Sequence, residues 1–130
     1  MGRPRRTSRP KLLTEVELEL MSALWQLDEA TVREVLAALP EGRTLAYTSV
    51  ATVLRILEDK KLVQSRKIGK AHVYRPTVSK SEYERRSLRH LVDKVFDGTP
   101  STMVLRLLDD EGLSRKELRE IQRMLEERLQ

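Results

Sequence analysis

One predicted helix face carries short hydroxyl side chains and an arginine, which are side chains that can hydrogen-bond nucleic-acid bases. They lie within residues 44–63, TLAYTSVATVLRILEDKKLV, where apolar residues recur at helical spacing. A hydroxyl can bond either base edge or contact a thymine methyl, and an arginine can reach O6 and N7 of guanine or a phosphate. The residues that could make these contacts are Thr48, Ser49, Thr52 and Arg55.

The opposite side of this helix is apolar, and its residues follow the spacing i, i+3, i+4, i+7: Val50, Val53, Leu54 and Leu57. At about 100° per residue, Thr48, Thr52 and Arg55 lie roughly 140–200° around the helix from Val50. A merely solvated face would favour Glu, Lys and Gln over β-branched Thr. Two alternatives stay open: a threonine-rich face without a partner, and an ion pair between Arg55 and Asp59 four residues on.

The net charge of +5 is unevenly distributed along the chain. Residues 1–11 carry five basic residues and no acid, residues 12–54 carry seven acids against two bases, and residues 55–78 carry seven bases against two acids. A basic edge directly beside the hydroxyl-bearing helix would attract a phosphate backbone. Double-stranded DNA is therefore the predicted partner.

Composition excludes several classes of protein. With 35% charged and 4% aromatic residues, the 130-residue chain suits a small helical protein built on Leu and Val. Cysteine is absent, no apolar run of about 18 residues occurs, and the basic N-terminus lacks the apolar core of a secretory signal, so a cytoplasmic location is expected. No nucleophile with a nearby base, phosphate-binding glycine loop or metal-ligand spacing is present. We therefore expect neither an enzyme nor a cofactor or metal site, and no small-molecule ligand is evident.

Helix starts are marked by Ser or Thr followed three residues later by Glu, the capping-box pattern: Thr14, Thr31, Ser79 and Ser114. The first helix is expected to end near Leu27. It is expected to bury Leu18, Met21, Leu24 and Trp25. The second is expected to span Val32–Leu39, because Pro40 and Gly42 follow it. The third lies within residues 44–63.

Residues 63–78 alternate polar and apolar side chains around Gly69, which predicts a β-hairpin. Three helices followed by a basic hairpin form a winged helix-turn-helix, in which the third helix enters the major groove and the hairpin, or wing, reaches the adjoining backbone or minor groove. Tyr47 can either pack at the core edge or hydrogen-bond a phosphate. The basic candidates for phosphate contact are Lys60, Lys61, Arg66, Lys67 and Lys70. Lys60 and Lys61 also meet the negative end of the helix dipole, and for the three hairpin residues the alternative is a solvated surface charge.

The remaining residues, 79–130, predict three further helices with apolar stripes. About 50 residues bury too little surface to cover such stripes alone, so a second copy of the chain is the expected cover. The stripe residues predicted to form the dimer are Leu88, Leu91, Val92, Val95, Phe96, Met103, Val104, Leu107, Leu108, Leu118, Ile121 and Leu125. The expected fold is therefore mainly α with a small β-hairpin: a basic flexible arm (1–11), a winged helix-turn-helix domain (12–78) and a helical dimerisation region (79–130).

Short motifs in order along residues 12–130 resemble the penicillinase-repressor family of bacterial transcriptional repressors, the BlaI/MecI type. They are LTEVELELMSALW, TVREV, LAYTSVATVLRILEDKKLV, GKAHVYRP and FDGTPSTMVLRLL. The resemblance implies a homodimeric repressor of palindromic operators, relieved when a membrane-embedded sensor protease, or a protease downstream of it, cuts the tail. The matching bond joins Arg106 to Leu107, and Arg106 stands where the best-known members have Asn. The paired C-terminal cysteines of the copper-responsive branch are absent.

The N-terminal sequence GRPR, residues 2–5, is similar to the core of the AT-hook, which lies in a narrow minor groove. Arg3 and Arg5 are therefore candidates for minor-groove contact, with a solvated tail as the alternative. Three other functions stay open: a nonspecific architectural DNA-binding protein, a winged helix used as a protein scaffold, and a small-molecule sensor, although an aromatic-poor tail offers no evident pocket.

Overall fold

The computed structural model describes residues 12–110 and 112–130. The helices are α1 (Glu15–Leu27), α2 (Val32–Ala37), α3 (Tyr47–Asp59), α4 (Lys80–Val95), α5 (Pro100–Asp109) and α6 (Arg115–Leu129). The strands are β1 (Ala30–Thr31), β2 (Val63–Ile68) and β3 (Ala71–Pro76). The chain divides into two compact units, with the division inside α4 after Ser87.

The first unit has one hydrophobic core, to which α1, α2, α3 and the sheet all contribute. Its fully buried side chains come from each of these elements: Leu20, Met21, Leu24, Val35, Val50, Leu54, Leu57 and Val63. One expected core residue is wrong, because Leu18 is 38% exposed and Leu20 is buried in its place. Met21 and Leu24 are buried as expected, so the buried side of α1 is the predicted one. Its centre lies towards Leu20, and Leu18 is at the opposite margin, about 60° around the helix from Met21.

The third helix is shorter than residues 44–63, and only residues 47–59 are helical. It ends in a Schellman motif: the Leu62 N–H donates to the Leu57 carbonyl at 3.0 Å and the Lys61 N–H to the Glu58 carbonyl at 2.9 Å. Lys61 takes the left-handed conformation, φ +66°, at the position that usually holds glycine. The apolar pattern continues past this point because Leu62 and Val63 pack on the same core after the helix has stopped.

Complete capping boxes begin α1, α2 and α6, as predicted from Thr14, Thr31 and Ser114. The fourth box is only half formed. The Glu82 N–H donates to the Ser79 hydroxyl at 3.1 Å, but the Glu82 carboxylate accepts from Arg86 at 2.7 Å instead of returning to the Ser79 backbone. The second helix also stops earlier than expected, at Ala37, with Ala38 as its C-cap.

The hairpin forms as predicted and gains a third strand that the sequence pattern did not reveal. The strand order is β1-β3-β2, and every neighbouring pair is antiparallel. β1 is only two residues long, pairing Ala30 with Tyr74 and Thr31 with Val73, so it carries no periodicity to detect. Gly69 and Lys70 form a two-residue turn in which Gly69 has φ +62°, a conformation that favours glycine.

The second unit, Leu88–Gln130, consists of the end of α4 followed by α5 and α6. Val92 is its buried residue on α4, whereas the helices α5 and α6 have no buried residue at all. Gly98 has φ +76°, and its N–H donates to the Val92 carbonyl at 2.8 Å, which ends α4. The unit therefore exposes most of its apolar stripes.

Candidate nucleic-acid interface

The exposed side of α3 carries all four of the hydroxyl and arginine candidates. Val50, Leu54 and Leu57 are fully buried on the inner side, and this holds the opposite side outward. Every candidate side chain on that outer side is exposed: Thr48, Ser49, Thr52 and Arg55. Three of the four are short, so the helix backbone can approach another surface closely.

Arg55 is available for an external partner. Among the ion pairs of the described residues, none joins Arg55 to Asp59, which was the alternative reading of this arginine. Its charge lies close to the junction of α3 and the sheet. Burial and the negative charge of Glu58 raise the pKa of the Tyr74 phenol, whereas the positive charge of Arg55 acts in the opposite direction.

Tyr47 begins α3 and is 46% exposed, so it lies at the surface instead of packing in the core. The guanidinium of Arg33, on α2, lies over its ring at 5.5 Å from the centroid. This cation–π contact adds a positive charge beside the start of α3. Sequence reasoning did not single out Arg33, because the contact joins two helices whose relative orientation local spacing does not encode.

Lys67 lies on the side of the wing that faces α3. Alternate residues of a strand, and residues paired across strands, lie on the same face of a sheet. Lys67 therefore shares its face with Val63, with Ser65 and with Tyr74, which pairs with Ser65. Val63 and Tyr74 belong to the hydrophobic core. Lys70 is in the turn at the tip. Within residues 12–110, neither lysine takes part in an ion pair. Both side chains are exposed, so their charges are open to solvent near the tip of the wing.

Arg66 lies on the other face of the wing and is bound within the protein. Its guanidinium makes two hydrogen bonds to the Glu29 carboxylate, at 2.7 and 3.2 Å. The hydrogen bonds and charge of Arg66, with a smaller effect of the Arg75 charge, lower the pKa of Glu29. Arg66 was predicted to contact phosphate, and in the free protein it is paired with an acid 37 residues away in sequence.

Lys60 and Lys61, the basic residues at the end of α3, have different environments. Lys61 is exposed, whereas the Lys60 ammonium donates to the Glu17 carboxylate at 2.7 Å. The Glu17 side chain is only 7% exposed and also accepts from the Thr14 N–H of the α1 capping box. Burial alone would raise the pKa of Glu17, but the bonds from Lys60 and Thr14 outweigh it and hold this pKa below 4.5. Lys60 therefore supports the core as well as lying at the basic edge.

We expect this pair to make stability depend on acid pH. Because the folded carboxyl has the lower pKa, its stabilisation is complete above the pKa of the unfolded carboxyl and is lost as pH falls through the folded pKa. Lys60→Met should lower the free energy of unfolding at pH 7 by about 1–3 kcal/mol. It should also reduce the fall of this free energy on acidification, which is called the acid limb below. Urea unfolding between pH 3 and 7 measures both effects. Lys61→Met is the matched control, and an acid limb equal in both variants would contradict the assignment.

The remaining predicted sites are distributed as follows. Arg3 and Arg5 lie outside the described residues. The predicted dimer residues Leu91, Phe96, Met103 and Ile121 are half-buried and Val92 is buried. The others are exposed: Leu88, Val95, Val104, Leu107, Leu108, Leu118 and Leu125. Two further exposed apolar residues of this unit, Leu105 and Met124, were not among the predicted ones.

Arg106 and Leu107 lie inside α5 on its exposed surface. The Arg106 guanidinium contacts the Asp109 carboxylate at 3.3 Å.

Across residues 12–110 and 112–130, no helix has the length and apolar content needed to cross a bilayer. In the same two segments, no cluster of three or more His, Asp or Glu side chains is arranged to hold a metal ion.

Comparison with known proteins identifies the family. The model of a family described as penicillinase repressor matches residues 13–127, which include the whole α3–wing surface and nearly all of the second unit. The chain belongs to the penicillinase repressor family. The resemblance of its short motifs is thereby confirmed, and with it the class of repressor. The expected fold, mainly α with a small β-hairpin, is confirmed by the helices and the sheet described above.

The chain is similar to several named proteins. The chain is 29% identical over 115 residues to the penicillinase repressor of Bacillus licheniformis, covering 88% of this chain and 90% of that protein. It is 42% identical over 71 residues to the transcriptional regulator BlaI of Mycobacterium tuberculosis, covering 54% and 51% respectively. A solution structure of monomeric B. licheniformis BlaI in complex with the blaP half-operator is 27% identical, with a TM-score of 0.47, covering 56% of this chain and 89% of that one.

Proposed function

We propose that this protein is a sequence-specific transcriptional repressor that binds palindromic operator DNA as a homodimer. The observation that carries the proposal is the outer side of α3, where Thr48, Thr52 and Arg55 are exposed directly opposite a buried apolar side. In this role the hydroxyls and Arg55 read base edges in the major groove, with Ser49 at the margin. Repressors related by sequence support the same class of function.

The basic residues around α3 supply the phosphate contacts. Lys67 and Lys70 on the wing bind the backbone beside the groove that α3 enters, and Lys61 binds at the end of the helix. Arg33 and Tyr47, held together by their cation–π contact, bind phosphate at the start of α3. Arm residues Arg3 and Arg5 reach the adjacent minor groove.

The second unit forms the dimer. A unit of 43 residues that leaves Val95, Leu107 and Leu125 at least half exposed has apolar surface that a second copy can cover. Two copies place two α3 helices on half-sites one helical turn apart, about 34–36 Å, or a multiple of it. This geometry gives the dimer a palindromic operator.

Repression is relieved by cutting the bond between Arg106 and Leu107. A protease needs an extended substrate, and in an unassembled chain α5 can unwind at low cost, because it is only ten residues long and has no buried residue there. A membrane-embedded sensor protease, or a protease downstream of it, is the partner. Cleavage at this bond removes α6 from the dimer surface and weakens operator binding.

Footprinting over genomic fragments tests the proposal. A repressor protects a defined palindrome at concentrations that leave flanking DNA open, whereas a nonspecific architectural protein protects DNA uniformly. A chain that binds no DNA at moderate salt is a protein scaffold, and that outcome would remove the proposed function altogether.

The Arg66–Glu29 pair gives a further expected result. Glu29→Gln should tighten operator binding about two- to fivefold at moderate salt, because it releases Arg66 and removes an acid from the basic edge, and exposed pairs are worth little. The salt slope should steepen by up to about 0.9 for one gained phosphate contact. Fluorescence anisotropy over a salt series measures both. Glu84→Gln, the same charge change at an exposed position of α4, is the control; equal effects of both variants would show a general charge effect.

A further inference from the structure

Glu58, on α3, and Ser65, on β2 of the wing, join these two elements through two hydrogen bonds. The Ser65 hydroxyl donates to Oε2 of Glu58 at 2.8 Å, and the Ser65 backbone N–H donates to the same oxygen at 3.2 Å. Both residues are half-buried, so water competes less than at an open surface. A carboxylate acceptor strengthens both bonds.

The pair lies between the two DNA-contacting groups proposed above. Glu58 follows Arg55 by three residues on α3, a rise of about 4.5 Å. Ser65 precedes Lys67 by two residues on the same face of β2, about 6.6 Å along the strand. Glu58 is half-buried and so is not one of the exposed residues on the outer side of α3, and Ser65 is on β2. The pair can therefore set the distance between helix and wing without touching DNA.

Within residues 12–110, the other hydrogen bonds near the end of α3 lie at the base of the wing. Arg66 and the β1–β3 pairing also hold the wing, but they join it to residues 29–31 and not to α3. The Thr77 hydroxyl donates to the Lys61 carbonyl at 2.7 Å, and the Thr77 N–H donates to the Leu62 carbonyl at 2.9 Å. Both lie at the end where β2 begins and β3 has ended. Ser65 lies nearer the tip of the wing than these residues do. In the described part of the chain, it is the β2 residue that hydrogen-bonds to α3.

We infer that Glu58 and Ser65 are positioning residues, which hold the wing at the angle to α3 that lets Lys67 and Lys70 contact phosphate while Arg55 reads the groove. The inference rests on the proposed function, since it names what sets the geometry of that same interface. Ser65→Ala removes the hydroxyl bond without changing the charge, so it separates positioning from electrostatics. Ser65→Thr keeps the hydroxyl and should therefore restore operator binding.

The test is a double-mutant comparison on a palindromic operator, measured by anisotropy over a salt series. In the wild-type background, replacing Lys67 and Lys70 together with alanine should reduce the salt slope by about 1.8 per bound chain, about 0.9 for each phosphate contact. Ser65→Ala should weaken binding about five- to tenfold and reduce the slope. In that background the two lysine replacements should have less than half their wild-type effect. Ser65→Thr should restore wild-type affinity and slope.

Gln64→Ala, on the opposite face of the same strand, is the matched control and should leave the slope unchanged. Thermal unfolding of every variant shows that each is folded at the assay temperature. A full lysine effect in the Ser65→Ala background would overturn the inference. The proposed function fails separately, if the wild-type chain itself shows no operator preference.

Discussion

Replacing Thr48 and Arg55 together with alanine should abolish operator preference while leaving the protein folded. Both side chains are exposed on the outer side of α3, so their removal opens no cavity in the core. A bidentate arginine–guanine contact contributes about 1–3 kcal/mol of discrimination, and a hydroxyl adds to it. The specific affinity should therefore fall by at least about 2 kcal/mol per half-site, roughly 30-fold.

Affinity for operator and for scrambled DNA of the same length measures this effect. Nonspecific affinity should change much less, because the proposed phosphate contacts of Lys67 and Lys70 remain. The control variant Arg85→Ala with Thr99→Ala removes the same two chemical groups at exposed positions on α4 and before α5. If the Thr48/Arg55 variant still preferred operator over scrambled DNA as strongly as the wild type, that result would falsify the assignment of α3 as the base-reading element.

Val95→Asp should convert the dimer to a monomer and thereby weaken operator binding. Val95 is 60% exposed in the single chain, so aspartate is tolerated there before assembly. In the proposed dimer this position is covered, and burying an unpaired carboxylate costs several kcal/mol. The dimer dissociation constant should rise by at least about 100-fold, close to 3 kcal/mol.

Sedimentation equilibrium at several concentrations measures the dissociation constant directly. Lys94→Asp, at the neighbouring exposed position off the apolar stripe, introduces the same carboxylate and should leave the dimer intact. Leu91, which lies on the same stripe, is half-buried, so its replacement would confound folding with assembly. A Val95→Asp variant that still sedimented as a dimer would remove this part of α4 from the interface.

The order and type of the main elements could be predicted because their signals are local. Apolar spacing identified the inner side of α3, alternation around Gly69 identified the hairpin, and three capping boxes marked their helix starts. The errors in helix length arose where the apolar pattern continued beyond the end of the helix. The apolar residues after Asp59 belong to the same core, but the left-handed turn at Lys61 had already ended the helix.

The candidate site was predictable only as a set of exposed positions. Spacing assigned Thr48, Thr52 and Arg55 to one side of α3, and that is where they lie. It could not show which basic residues already have partners. In the sequence, Lys60 resembles its neighbour Lys61, and Arg66 resembles its neighbour Lys67. In the structure, Lys60 and Arg66 are each paired with an acid.

The sequence by itself determined the helices, the hairpin, the outward side of α3 and the family, since helix and strand periods and short motifs are properties of neighbouring residues. Only the tertiary structure decided how the charges are distributed. Lys60 meets Glu17 across 43 positions and Arg66 meets Glu29 across 37, because packing α1 against α3 and β1 against β3 brings these side chains together. Ion pairing depends on distances in space, and the folded core sets those distances.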